Sequence, residues 1–172
     1  MRTGSTKGSK LKSQTDKGHT LEYKIKATYL LEFDGVIPAK KNNVRYGINS
    51  KGRKSFVQIY YTKEYDDWEK WLPLWALANF RKKYGTKIIP PFEEKIVMVL
   101  RIWPKDNRRD TVNAMAGIAD ALEWHKNKKL NGFYKNDRQI IDARTINMGV
   151  DKDRPRFTVE VNLIDDGQKQ LF

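Results

Sequence analysis

Apolar residues fall into segments whose spacing predicts strands and helices from about residue 27 onward. The run Lys95–Trp103 is apolar on both faces, which is typical of a strand in the interior of a sheet. The turn-rich segment 49–54 separates two β-rich runs and predicts a hairpin. In chain order, the expected elements are strand 28–33, hairpin strands 44–48 and 55–61, a helix between Thr62 and Gly85, strand 95–103, helix 111–124, and strands 139–148 and 156–164.

The first predicted helix has a clear start, an apolar stripe and one internal conflict. Thr62 is a suitable N-cap, and acidic residues follow it in the first turn, where the helix dipole favours them. Aromatic and leucine side chains recur at near-helical spacing and predict a buried stripe, although a base-stacking platform is the alternative reading. These residues are Tyr65, Trp68, Leu72, Trp75 and Phe80. Pro73 lies among them, so we expect a kink or a break there.

This order of elements predicts an α+β fold, in which helices pack on one face of a mixed β-sheet. Residues 1–22 are rich in Gly, Ser, Thr and Lys, and we expect a disordered basic tail there. The folded domain is expected at 23–164, and residues 165–172 are expected to form a mobile C-terminal tail.

Composition narrows the possible functions. The chain has no cysteine and two histidines, which excludes a disulfide framework, a thiolate nucleophile and a multi-histidine metal site. No apolar run is long enough to span a bilayer, and no secretory leader is visible, so we expect a soluble, cytoplasmic protein without a membrane partner. Lys and Arg number 34 against 21 Asp and Glu, and the net charge of +13 favours a nucleic-acid partner.

Several carboxylates stand at predicted element boundaries. Asp110 precedes the second helix, Asn113 and Asp120 follow on that helix, and Asp137 precedes the next strand. Clustered carboxylates suit Mg²⁺ or Mn²⁺, and within a basic surface they are typical of metal-assisted phosphodiester hydrolysis. Taken singly, Asp110 is also a good N-cap, Asp120 a good partner for a nearby cation, and Asp137 a common turn residue.

The combination resembles the RusA family of Holliday-junction resolvases, small dimeric nucleases often encoded by phages and prophages. That family carries an Asp-x-Asp-Asn-x-x-Lys-x-x-x-Asp-Ala-Leu stretch, a Gly-containing loop, and an Asp-Asp-x-Gln-Ile/Val stretch. The matching positions here are Asp110, Asn113, Asp120 to Leu122, Gly132, Asp137, Gln139 and Ile140, together with the earlier loop 37–43 and Tyr46. The resemblance implies a homodimer that cuts four-way DNA junctions with Mg²⁺ or Mn²⁺ held by Asp110 and Asp137.

The sequence departs from this pattern at three positions. Val112 replaces the second Asp of the first stretch, Ala116 replaces its Lys, and Asn136 replaces the first Asp of the second stretch. Valine offers no oxygen to a cation, and alanine offers no charge to a phosphate. Lys135 is a candidate substitute for the missing lysine, and reduced activity is one expected consequence.

Basic residues near these motifs are the expected DNA contacts. The candidates are Lys40, Lys41, Arg45, Arg108, Arg109 and Lys135. Two alternatives stay open: a catalytically inactive protein that still binds branched DNA, and an unrelated basic RNA-binding module that has no use for Asp110 or Asp137.

A separate motif lies in the C-terminal segment. Gln168, Leu171 and Phe172 resemble the short peptide that bacterial replication proteins insert into the sliding clamp. Leu and Phe would fill an apolar pocket, and Gln would bond at its rim. An inert segment is the alternative.

Overall fold

A computed structural model describes residues 10–14, 20–38, 44–51, 54–88, 90–106, 111–124 and 132–165. The elements in chain order are β1 (Lys10–Gln14), β2 (Thr20–Asp34), β3 (Val44–Lys51), β4 (Lys54–Tyr61), α1 (Lys63–Tyr84), β5 (Lys95–Trp103), α2 (Thr111–Leu122), a 3₁₀ turn (Asp137–Gln139), β6 (Ile140–Asn147) and β7 (Arg156–Ile164). No described helix is both long enough and apolar enough to cross a membrane.

Five of the strands form one mixed sheet in the order β1-β2-β7-β5-β6. The pairs β1–β2, β2–β7 and β5–β7 are antiparallel, whereas β5 and β6 are parallel. Strands β3 and β4 form the predicted hairpin as a separate two-stranded sheet. The predicted α+β class with a mixed sheet is therefore confirmed.

Both helices cover the same face of the five-stranded sheet. Alternate residues of the three longest paired strands join residues of α1 and α2 in one apolar core. Its aromatic contacts include Phe33 stacked on Phe157, with ring centroids 4.6 Å apart, and Tyr29 stacked on Phe92 at 5.1 Å. From the predicted stripe of α1, Leu72 and Phe80 belong to this core, and Trp68 and Trp75 pack against it. Tyr65, the first residue of the stripe, is also fully buried.

The opposite face of the sheet is organised by polar contacts. Thr28 Oγ1 donates to Asn162 Oδ1 at 2.7 Å, and Asn162 Nδ2 donates to Glu160 Oε1 at 3.0 Å. Arg101 forms an ion pair with Glu160 at 2.8 Å on the neighbouring strand. These partly buried groups therefore satisfy one another's hydrogen-bonding capacity.

Helix α1 runs unbroken through Pro73, so the predicted break does not occur. Pro73 is itself buried, and Leu72 before it and Ala76 and Leu77 in the next turn pack into the core. Burial of the stripe on both sides offsets the one backbone hydrogen bond that proline removes. The N-cap prediction is confirmed, because Thr62 Oγ1 accepts a hydrogen bond from Tyr65 N at 3.4 Å.

The N-terminal part of the chain also differs from expectation. The composition predicts a tail over residues 1–22, but β1 pairs with the start of β2 from Lys10↔Lys24 to Gln14↔Thr20. Leu11 and Tyr23 pack against a small second cluster of Ile25, Val97 and Ile164. Two apolar side chains and a ladder of backbone hydrogen bonds therefore hold a segment that looks polar in sequence.

The part of β2 beyond its pairing with β1 leaves a sheet edge that α1 closes. The Tyr84 hydroxyl accepts a hydrogen bond from Leu30 N at 2.9 Å and lies 3.4 Å from Leu30 O. Lys83 Nζ adds an ion pair to Glu32 at 3.2 Å. The end of α1 thus satisfies backbone groups that would otherwise form an open edge.

Replacing Tyr84 with Phe is expected to lower the free energy of unfolding by about 0.5–1.5 kcal/mol, because the Leu30 amide loses its acceptor in a half-buried place. Urea denaturation measures the change. Tyr23→Phe is the control, since its hydroxyl makes no hydrogen bond with another described residue. Equal stability of the two variants would contradict the role given to Tyr84.

Candidate functional site

Three chain segments meet beside the start of β5. Phe92 N donates to Phe133 O at 2.8 Å, and Phe133 N donates to Leu122 O at 2.7 Å. Trp124 N donates to Tyr134 O at 2.8 Å. These bonds tie the end of α2, the segment before β5 and the segment before β6 into one unit, and Asp137 follows directly from it.

Gly132 permits the close approach of two of these segments. A Cβ atom at this position would lie 2.3 Å from Trp124 N and 2.6 Å from Trp124 Cα. Both are backbone atoms, so no side chain can move aside to make room. The glycine of the motif loop is therefore required by contact with the end of α2.

Tyr134 is the buried centre of this unit. Its hydroxyl donates to Ala119 O in the last turns of α2. Burial raises the pKa of the Tyr134 phenol, and the charges of Glu123, Asp120 and Asp137 raise it further. Tyr134 is therefore a neutral hydrogen-bond donor that holds α2, with three carboxylates around it.

Asp137 begins an exposed 3₁₀ turn. Asn136 caps this turn, because its side-chain oxygen accepts a hydrogen bond from Arg138 N at 2.9 Å. Asp137 is itself exposed, and within the described residues its carboxylate forms no hydrogen bond or ion pair. Asparagine and aspartate serve equally well as N-caps, so the departure at Asn136 preserves the geometry of the turn.

The charge of Asp120 acts on Tyr134 and on a second buried tyrosine. Tyr65 on α1 is fully buried, and its hydroxyl has no hydrogen-bond partner among the described residues. This hydroxyl comes within 3.4 Å of the place a Cβ on Gly117 would occupy. Burial raises the pKa of Tyr65, and the charges of Glu69 and Asp120 raise it further. The helix interface is therefore acidic on the side that carries Asp120.

The direction of α2 determines which carboxylates lie at the same end of the helix as Asp137. The helix starts at Thr111 and ends at Leu122, beside Phe133. Its 12 residues correspond to a length of about 18 Å. Asp120 and Glu123 consequently share the Asp137 end of the helix. Among the described residues, no group of three or more Asp, Glu or His side chains is close enough to hold a metal ion.

The structure describes only part of the predicted site. Asp137 and Lys135 are placed, and Lys135 Nζ forms an ion pair with Glu93 Oε1 in which both side chains are at least half exposed. Arg45 lies in β3, but its side chain is not described. The other predicted residues lie outside the described ranges: Lys40, Lys41, Arg108, Arg109, Asp110, Gln168, Leu171 and Phe172.

The two departures in the first motif fall within α2. Ala116 is exposed on the helix surface, so a lysine at this position would reach solvent without repacking the core. Val112 lies in the first turn, and its side chain is not described.

Sequence reasoning missed the role of Phe133 and Tyr134, because they lie between the two motifs, directly after the glycine of the family's loop. Both side chains are fully buried. Two adjacent aromatic residues after a glycine, within an otherwise basic segment, were the available signal.

Comparison with known families agrees with the fold and with these motifs. A family model for the endodeoxyribonuclease RusA matches residues 36–162. The chain therefore belongs to the RusA family, whose members are endonucleases that resolve Holliday junctions and generally depend on divalent metal. No curated protein matches the chain significantly.

Replacing Gly132 with Ala is expected to lower the free energy of unfolding by about 1–3 kcal/mol or more, because the added methyl overlaps the Trp124 backbone. Thermal melting measures the loss. Gly149→Ala is the control for a glycine without a steric contact. A Cβ there would meet no atom within 4 Å, and only the positive φ of 97° opposes substitution. A Gly132→Ala protein as stable as the wild type would refute the close approach.

Proposed function

We propose that this protein cuts four-way DNA junctions by divalent-metal-dependent phosphodiester hydrolysis, at a rate reduced by the departures at Val112 and Ala116. Family membership supports the reaction class. The observation that carries the proposal to this chain is the exposed Asp137 carboxylate, free of hydrogen bonds and ion pairs with described residues. It is presented on a turn anchored to the folded core.

The carboxylates that this proposal places at one cation are Asp137 and Asp120, which lie toward the same end of α2. Asp110, the other ligand that the family pattern implies, directly precedes Thr111 at the opposite end of this helix, about 18 Å away, so it is not expected to share that cation within one subunit. Carboxylate oxygens match the preference of Mg²⁺ and Mn²⁺. When bound, such a cation supplies a nucleophilic hydroxide and stabilises the leaving oxygen. The carboxylates would hold the cation, and Tyr134 would keep α2 and the Asp137 turn in a constant relation.

The proposed DNA surface uses the basic residues Lys40, Lys41, Arg45, Arg108, Arg109 and Lys135. The net charge of +13 supports strong attraction to phosphates. Lys135 is exposed, and its ion pair with Glu93 is a weak surface contact that a phosphate can displace.

We also propose that the protein acts as a homodimer. Four of the eight large exposed apolar side chains in the described residues belong to β6 or the segment after it: Ile141, Ile146, Met148 and Val150. Strand β6 is an edge of the five-stranded sheet. Exposed apolar residues on an edge strand favour burial against a partner. A second copy would cover these residues and have its own β6 residues covered in the same interface.

Asp137→Asn is expected to reduce Mg²⁺-dependent junction cleavage on the order of 10²-fold or more, because a charged ligand becomes a neutral amide. Junction affinity should stay the same or rise slightly, since a negative charge is removed from a phosphate-facing site. Single-turnover cleavage and gel-shift titration of a labelled four-way junction measure the two quantities.

Asp153→Asn is the matched control, because it makes the same charge change at another exposed position.

In the same assay, Ala116→Lys should raise the wild-type rate by adding a cation to the exposed face of α2. Binding should weaken by about 10³–10⁵ between 50 and 200 mM salt if about 6–10 phosphates are contacted. Junction binding without metal-dependent cleavage would favour the inactive binder, and preference for single-stranded RNA would favour the RNA-binding alternative.

We further propose that Gln168, Leu171 and Phe172 bind a bacterial sliding clamp. Their spacing supports this proposal, as does the position of the motif after the last strand, β7. Replacing Leu171 and Phe172 with Ala should abolish co-elution with a purified clamp and leave junction affinity unchanged. A wild-type protein that does not co-elute with the clamp would refute the proposal.

A further inference from the structure

We propose that Gln139 is a positioning residue that fixes the Asp137 carboxylate relative to the end of α2. This inference rests on the proposed function of Asp137. Gln139 is the last residue of the 3₁₀ turn that Asp137 begins, and it is half-buried beneath that turn.

All the hydrogen-bonding capacity of the Gln139 side chain is used. Its oxygen accepts hydrogen bonds from Lys135 N at 2.8 Å and from Asn136 N at 2.9 Å. Its amide nitrogen donates to Phe92 O at 3.0 Å and to Glu94 O at 2.9 Å. One side chain therefore connects the backbone before Asp137 to the backbone that leads into β5.

Little else holds the turn. None of its residues is buried, so apolar packing does not anchor it. The Asn136 cap and the turn's own backbone bonds, from Gln139 N to Asn136 O and from Ile140 N to Asp137 O, keep its local shape. Among contacts that reach another segment, the Lys135–Glu93 ion pair joins two exposed side chains, which makes it a weak constraint.

The acceptors of Gln139 belong to the unit that also holds α2. Phe92 donates its own N–H to Phe133 O, and Phe133 donates to Leu122 O at the end of the helix. Gln139 therefore sets the position of Asp137 against the same framework that positions Asp120. A ligand carried on an exposed turn needs such a fixed reference, because metal affinity depends on the ligands being held in place before binding.

Two variants of Gln139 distinguish the bonds that its oxygen accepts from the bonds that its amide nitrogen donates. Gln139→Met keeps the length of the side chain and loses all four bonds. Gln139→Glu keeps the two acceptor bonds but sets a carboxylate against the carbonyl oxygens of Phe92 and Glu94. Asn136→Ser is the matched control on the same turn, because serine caps as well as asparagine and, unlike aspartate, adds no carboxylate beside Asp137.

The experiment measures junction cleavage as a function of Mn²⁺ concentration, direct Mn²⁺ binding by calorimetry, and junction affinity, each on the full-length protein. We expect both Gln139 variants to need about 10–100-fold more Mn²⁺ for half-maximal cleavage and for binding. Junction affinity should stay within about twofold, because electrostatic contact with phosphates is unchanged. Amide hydrogen exchange at Lys135 and at residue 136 should accelerate in Gln139→Met and not in Asn136→Ser.

The outcomes distinguish this inference from the function it rests on. A purely structural role would lower the folded fraction and the cleavage amplitude while the Mn²⁺ requirement stayed constant, and this result would overturn the inference. Wild-type Mn²⁺ dependence in Gln139→Met would also overturn it and leave the proposed nuclease intact. A wild-type protein that neither cleaves junctions nor binds Mn²⁺ would overturn the proposed function and the positioning role together.

Discussion

The parallel pairing of β5 with β6 is the constraint on which the site depends. Two parallel neighbours cannot be joined by a tight turn, so the chain must return from the end of β5 to its start before β6 begins. Helix α2 makes most of that return, and residues 132–139 complete it. The Asp137 turn is thereby placed at the start of β5, next to the end of α2.

Buried aromatic rings convert this connection into a rigid support. Phe133 packs edge-on against Phe80 of α1, with ring centroids 5.4 Å apart, and Tyr134 donates its hydroxyl to α2. Gly132 allows these two rings to pack in the core, because any side chain at residue 132 would collide with the Trp124 backbone. The exposed turn that follows can stay polar and accessible, since its anchoring is supplied by the residues before it and by Gln139.

The positive charge of the chain and the carboxylates of the candidate site have different roles. The excess of lysine and arginine is a property of the whole chain and supplies long-range attraction to phosphates. The carboxylates around Tyr134 form a local acidic group, and the buried tyrosines Tyr65 and Tyr134 remain neutral beside it because burial raises their pKa values. A local negative group within a positive surface suits a cation that bridges protein and phosphate.

The sequence by itself determined the elements whose pattern is self-contained. A continuous apolar run defined β5, the Thr62 cap defined the start of α1, and spaced motif residues indicated the family. The tertiary structure decided what depends on distant partners. Helix α1 continues through Pro73 because Leu72, Ala76 and Leu77 around it are buried, and β1 forms because it pairs with β2. The tertiary structure also decided that Asp120 and Glu123, at the end of α2, accompany Asp137. Sequence spacing cannot reveal this arrangement, because it follows from the direction in which a helix crosses between two parallel strands.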